Sequence, residues 1–283
     1  MPSDRATWLV RDYDLAATLT SGQAFRWNFQ NGGWNGVIGQ RWLRLHADEL
    51  SIHARTAEPV WDWKWLSDYL QTDLALSTVL STFPDDPPMR AAVNSCRGLR
   101  LLRQEPWECL ASFLLSSTKQ IVQIRQIVAR LCEKFGEPIP APPEHGPAWS
   151  FPAPERLARA RESELRECKM GFRAPYLRAA ARRVAEGEVR LGRLRHLPVE
   201  MARLELLQLP GVGRKIADCV LLFAYGFPTA FPVDVWVMKA LSKLYFSGRR
   251  PTAKRVRHFA ETHFGPNAGY AQQYLFHYIR TKA

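Results

Sequence analysis

The hydrophobic period changes once along this chain, and that change limits the fold more than any other feature. Across residues 18–54 the pattern alternates: Phe25, Trp27 and Phe29 project to one side, Arg26 and Asn28 to the other, and Asn31-Gly32-Gly33 supplies a hairpin turn. Segments 34–38, 42–46 and 50–53 follow with turn residues between them, which predicts an antiparallel meander. In WDWKWLSDYL, Trp61 and Trp65 stand four apart, the spacing of one helical face packed on a sheet. The proline-rich break at 84–88 ends this region.

Beyond the break the period is about 3.6. A helix is predicted from about Pro106 to 116–118, and the next carries Ile121, Ile124, Ile127, Val128, Leu131 and Phe135 on one stripe, with Arg125 and Arg130 off it. Residues 137–154 are too rich in proline to be more than a connection, pinned by Trp149 and Phe151. Helical patterns resume at 155–168, 174–187 and 198–209. The expected architecture is α+β: an N-terminal antiparallel β-sheet domain, residues 1–87, packed on a mostly α-helical body, residues 88–283.

Charge narrows the partners. Lys and Arg outnumber Asp and Glu by 39 to 27, a net +12, which suits nucleic acid, an anionic membrane surface or merely a solvated basic face. The five cysteines form no C-x-x-C pair and leave one over, so a reducing compartment is expected rather than a disulfide framework. Neither they nor the seven histidines have the spacing of a zinc or iron–sulfur site. The first residues are too polar for a signal peptide, and no apolar run approaches the ~20 residues that cross a bilayer. A soluble, intracellular protein without a membrane partner is expected.

The chemistry concentrates in residues 209–234, LPGVGRKIADCVLLFAYGFPTAFPVD. Gly211 and Gly213 allow a tight turn between two helices and close approach of another backbone, and the amides of the following helix suit a phosphate. The same turn also serves as plain structural punctuation. Lys215 falls in the first turn of that helix beside Arg214. There the dipole and a neighbouring cation favour the neutral, nucleophilic amine, although a lysine so placed also serves as a phosphate contact. Asp234 precedes VWVMKAL as an N-cap, a rigid, ionised carboxylate able to stabilise cationic charge. Cys219 is one turn after Lys215, on its face, and reads equally as a small core residue.

With the hairpin, lysine and aspartate in one stretch, the chain resembles the helix-hairpin-helix, Gly/Pro, Asp superfamily of DNA base-excision glycosylases. More narrowly it is similar to the eukaryotic-type 8-oxoguanine DNA glycosylase family. The likeness runs through SGQAFRW (21–27), GLRLLRQEPWECLASF (98–113), KMGFRAPY (169–176), LPGVGRKIADC, PVDV and AGYAQQYLF (268–276). It implies a bifunctional glycosylase and abasic-site lyase acting as a monomer on double-stranded DNA that contains a damaged base. Lys215 would attack the anomeric carbon and Asp234 would stabilise the sugar cation. The Gly22 carbonyl would accept the ring N–H peculiar to the oxidised base, Phe276 and Cys219 would sandwich it, and Gln272 would bond its Watson–Crick edge. Read from the residues alone, Phe276 is a core residue in an apolar run. The resemblance also implies DNA contacts from Gly211, Gly213 and Arg214, a wedge at Phe172 with Arg173 beside it, and no cofactor, although relatives suggest a monovalent cation on the hairpin carbonyls.

Three departures matter. Where the family carries asparagines that fill the gap left by the extruded base, this chain has Thr118-Lys119-Gln120, and Gln123 replaces an arginine. Trp236 stands where the family has histidine, near Asp234 and its phosphate contacts. With two opposite-strand readers lost, these residues do not specify a strict preference for cytosine, and Lys119 is available to a phosphate. A glycosylase for alkylated purines and a catalytically silent helix-hairpin-helix module are the alternatives. Lys215 argues against the first, and Lys215 with Asp234 against the second. The endonuclease III branch is disfavoured because no cysteine follows Cys219 to ligate its cluster.

Overall fold

The computed structural model describes residues 1–116 and 119–282. Strands β1 (Ser3–Leu9), β2 (Asn28–Gln30), β3 (Gly33–Ile38), β4 (Arg41–Ala47) and β5 (Ser51–Val60) form one antiparallel sheet in the order β1-β5-β4-β3-β2. β1 was not legible in the sequence because only Ala6 and Trp8 mark an apolar face. It closes the sheet by pairing with β5, Trp8 opposite Ile52. Helices α1 (Leu15–Thr20) and α2 (Lys64–Leu70) contribute Leu15, Leu19, Leu66 and Leu70 to the sheet's core, where they meet Trp27, Leu43, Leu45 and Ile52.

The meander is shorter than the alternation suggested. Residues 15–20 are helical because Asp14 caps them, its carboxylate accepting the Ala17 amide. Residues 21–27 are not a strand, so Phe25 and Trp27 enter different cores, and Phe29 is 62% exposed. Trp61, 84% exposed, precedes α2 and shares no face with Trp65. Instead Trp63 and Trp65 stack, 6.2 Å apart.

The helical body follows as α3 (Leu76–Leu80), α4 (Pro87–Ser95), α5 (Pro106–Leu115) and α6 (Ile121–Phe135). α4 and α5 each open with proline in the first turn after an acidic cap, Asp86 and Glu105. α6 buries Ile124, Ile127, Val128, Leu131 and Phe135, the expected stripe, but leaves Ile121 at the edge of a cavity. The proline-rich connection is not featureless: β6 (Pro138–Ile139) and β7 (Ala148–Trp149) pair as a short ribbon, pinned by the Arg26 guanidinium donating to the Trp149 carbonyl. The pattern at 155–168 is two helices, α7 (Pro154–Arg159) and α8 (Glu162–Glu167), because Ala160 takes an extended backbone that ends the first. Then come α9 (Ala174–Ala185), α10 (Val199–Leu207), α11 (Arg214–Val220) running into a π-helical turn at Leu221–Tyr225, α12 (Val235–Tyr245), α13 (Ala253–His263) and α14 (Ala268–Lys282).

Two polar devices hold the loop and the helices that carry the chemistry. At the seam between sheet and body, Gln23 donates to the Arg100 carbonyl (2.7 Å) and accepts the Leu102 amide (2.8 Å). Gln273 on α14 donates to the Ser21 carbonyl (3.0 Å). The loop between them, which contains Gly22, is therefore tied to the body at both ends. Beneath the hairpin, Arg203 on α10 and Asp218 on α11 form a buried pair at 2.6 Å, with Glu200 on the same guanidinium. Removing one partner of such a pair costs ~3–5 kcal/mol, so the two helices flanking the hairpin are held as a unit. No described helix is long and apolar enough to cross a membrane, and all five cysteines are buried and free.

Candidate active site

The loop before Phe25 and the helices α5, α6, α11, α12 and α14 enclose a cavity of about 420 Å³. Its floor is aromatic: Phe113 meets Phe25 edge-on and stacks on Phe223, both at 5.5 Å. Lys215 reaches in over this floor, half-buried, with Nζ 5.1 Å from the Phe113 ring centre and donating to Ser116 Oγ at 2.8 Å. Asp234 faces the same space as the N-cap of α12. Its Oδ1 accepts the amides of Trp236 (2.9 Å) and Val237 (2.8 Å) and no described group bonds Oδ2. A carboxylate fixed in this way can stabilise nearby positive charge without first reorganising.

Cys219, 3% exposed, forms another wall. Burial pushes its thiol up to about 12, with the Lys215 cation pulling the other way, so it is an uncharged, polarisable surface at neutral pH. Phe276 stands half-buried on α14, not sealed in the core. Gln272 is 3% exposed, and its side-chain oxygen has no hydrogen-bond partner among the described residues. An unmet buried acceptor costs ~1–3 kcal/mol, a deficit that a ligand's donor would remove. Gly22 lines the cavity at φ +80°, a left-handed backbone that a side chain would strain, and a Cβ there would also push on the Ile121 Cδ1 tip at 2.6 Å.

The remaining residues singled out in the sequence lie outside or at the rim of this cavity. Gly211 adopts φ +80° with Tyr176 packed where its Cβ would be, 2.8 Å away. Gly213 is exposed, at an ordinary φ of −95°, with open space where its Cβ would project. Arg214 leans toward Asp218 at 3.7 Å. Phe172 is 53% exposed, and the Arg173 guanidinium lies over its ring (4.7 Å) and over Tyr176 (5.7 Å), joining this turn to the hairpin. Lys119 and Trp236 line the cavity mouth, with Lys239 over the indole at 5.1 Å. Gln123 turns its carbonyl back to the Gln120 amide at 3.0 Å, capping α6. Thr118 lies outside the described residues.

Sequence reasoning missed Ser116, Tyr176, Gln273 and Arg280. Arg280, one helical turn after Phe276, was accessible through that spacing. Nothing local marks Ser116, whose part comes from α5 meeting α11. Among the described residues no cluster of three or more His, Cys, Asp or Glu side chains could hold a metal ion.

Residues 111–266 match the family described as HhH-GPD superfamily base excision DNA repair protein, which sets the class of protein this fold and cavity define. Residues 9–110 match the 8-oxoguanine DNA glycosylase N-terminal domain. A probable N-glycosylase/DNA lyase of Methanothermobacter thermautotrophicus is 31% identical over 96% of this chain and 95% of its own. The Arabidopsis thaliana N-glycosylase/DNA lyase OGG1 is 32% identical over 93% of this chain and 76% of its own. The Clostridium acetobutylicum 8-oxoguanine glycosylase/lyase, solved with dsDNA containing cytosine opposite to 8-oxoG, is 30% identical and covers 99% of both chains with a TM-score of 0.90. The chain belongs to the 8-oxoguanine DNA glycosylase/lyase family of base-excision repair enzymes.

Proposed function

We propose that this enzyme extrudes 8-oxoguanine from duplex DNA into the cavity and excises it through a Schiff base on Lys215. The observation that carries this reading is the placement of Lys215, Asp234 and the unmet acceptor of Gln272 in one space. Extrusion costs a few kcal/mol of unstacking. Phe276 and Cys219 recover part of it as two faces for the base, an aromatic one being worth ~1–3 kcal/mol. Gln272 bonds the Watson–Crick edge, and the Gly22 carbonyl accepts the N–H that guanine lacks.

In the chemical step the neutral Lys215 amine attacks C1′ and the bond to the base breaks, its electron pair leaving with the base. Asp234 stabilises the positive charge that develops on the sugar. The amine adduct opens to an iminium, loss of a C2′ proton expels the 3′ phosphate, and hydrolysis frees the lysine. The protein contributes every reacting group, so no cofactor is required. The bland alternative for the hairpin, simple punctuation, is disfavoured by Gly213. Its missing Cβ serves no packing within the protein, which leaves room for a DNA backbone. Gly213→Ala is expected to leave the thermal transition unchanged and weaken duplex binding roughly tenfold, read by a salt titration of affinity. Equal affinity would remove the hairpin from the interface.

With Lys119-Gln120 in place of asparagines and Gln123 in place of an arginine, its carbonyl spent on the α6 cap and only its NH2 left to donate, reading of the opposite base is relaxed and Lys119 takes a phosphate. The enzyme acts as a monomer, in a reducing compartment that keeps its five cysteines as thiols. Single-turnover excision on duplexes bearing 8-oxoguanine opposite each of the four bases tests the reading. Excision with rates spread over less than about tenfold is expected. Activity confined to alkylated purines would overturn the choice of substrate.

A further inference from the structure

Arg280 is a cation on the cavity wall that the excision chemistry does not use. It lies on α14 one turn beyond Phe276, its guanidinium 5.1 Å over the Phe276 ring, and it lines the same cavity as Lys215 and Asp234. One guanidinium nitrogen is 3.5 Å from where a Cβ on Gly22 would stand. Among the described residues it makes no hydrogen bond and has no carboxylate within 4.0 Å. Burial pulls its pKa down and the charge of Asp234 acts the other way, but from beyond ion-pair distance. Even with Lys215 set aside as the neutral nucleophile, Lys119 and Arg280 share the cavity with a single acid, Asp234.

That imbalance calls for an anion. The nucleobase is neutral, so the anionic part of an extruded nucleotide is its phosphate. We infer that Arg280 binds a phosphate flanking the extruded nucleotide, with Phe276 holding the guanidinium flat on one face and leaving the other face for the base. This inference rests on the proposed extrusion of a nucleotide into the cavity. A planar guanidinium matches two phosphate oxygens at once, and stacking on a ring removes rotamer freedom before the ligand arrives. Base and phosphate are then gripped by neighbouring turns of one helix, so a free base binds without Arg280 and a nucleotide in DNA does not.

The test pairs two neutralisations. Binding of 8-oxoguanine duplexes is measured for the wild type, Arg280→Gln and Arg280→Lys, with the phosphate 5′ or 3′ of the lesion either native or replaced by an uncharged methylphosphonate. Arg280→Gln is expected to weaken binding of the native duplex roughly ten- to a hundredfold. At one of the two positions the methylphosphonate should weaken the wild type by a similar factor and leave Arg280→Gln unchanged, with Arg280→Lys between them. Penalties that multiply at both positions would overturn the inference, as would an equal loss of affinity for free 8-oxoguanine, which would place the guanidinium on the base. Borohydride trapping of the wild type on the native duplex is run alongside. If no adduct forms, the Schiff-base reading fails, while the binding cycle still decides Arg280.

Discussion

Lys215→Gln is expected to abolish the adduct that borohydride traps on an 8-oxoguanine duplex, while leaving the fold and lesion binding in place. Glutamine is close to lysine in length and can still donate to Ser116 Oγ, the hydrogen bond the lysine makes. It has no amine to attack C1′. Losing a nucleophile typically costs ~10⁴-fold or more in the chemical step. Because Lys215 is only half-buried, its replacement should shift the thermal transition by no more than about 2 °C. The expected variant is a tight lesion binder that does not turn over, measured by trapping, single-turnover excision and binding on one duplex. An undiminished adduct would show that another amine is the nucleophile.

Asp234→Asn separates the two roles the structure combines in one side chain. Asparagine caps a helix about as well as aspartate, so the bonds from the Trp236 and Val237 amides persist and α12 keeps its start. The negative charge facing the cavity is lost. Removing one such preorganised electrostatic group typically costs ~10²–10³ in rate, and that fall is expected in 8-oxoguanine excision. On a preformed abasic site the glycosidic step is already complete, so the fall in strand cleavage should be smaller. Asp234→Ala is expected to lose the same rate and, in addition, ~0.5–2 kcal/mol of stability with the cap. A variant that excises normally while melting early would reduce Asp234 to a cap.

Several site features were legible because they obey local rules. Gly211 had to be glycine in a turn that sets φ to +80°, and Asp234 had to precede a helix it could cap. Other expectations failed where local pattern and tertiary packing diverged. Alternation through Phe25 and Trp27 looked like a strand, but the segment is the seam between two cores, and each ring packs into a different one. Gln123, named for the DNA side, has a second part that spacing did not suggest: its side-chain carbonyl satisfies the unmet amide at the start of α6. Trp61 missed its helical face because α2 begins only at Lys64.

The sequence by itself determined the change from sheet to helices, the hairpin and the reactive types of Lys215 and Asp234, since these depend on hydrophobic period, glycine conformational freedom and capping within a few residues. The family resemblance assigned Gly22 and Gln272 to the base pocket, but only the tertiary structure decided that Ser116 and Arg280 join them around that lysine. The four come from a seam loop, the end of α5 and one face of α14, where Gln272 and Arg280 stand two turns apart. Their meeting depends on long-range packing and on the Gln23 and Gln273 ties, which no spacing along the chain encodes.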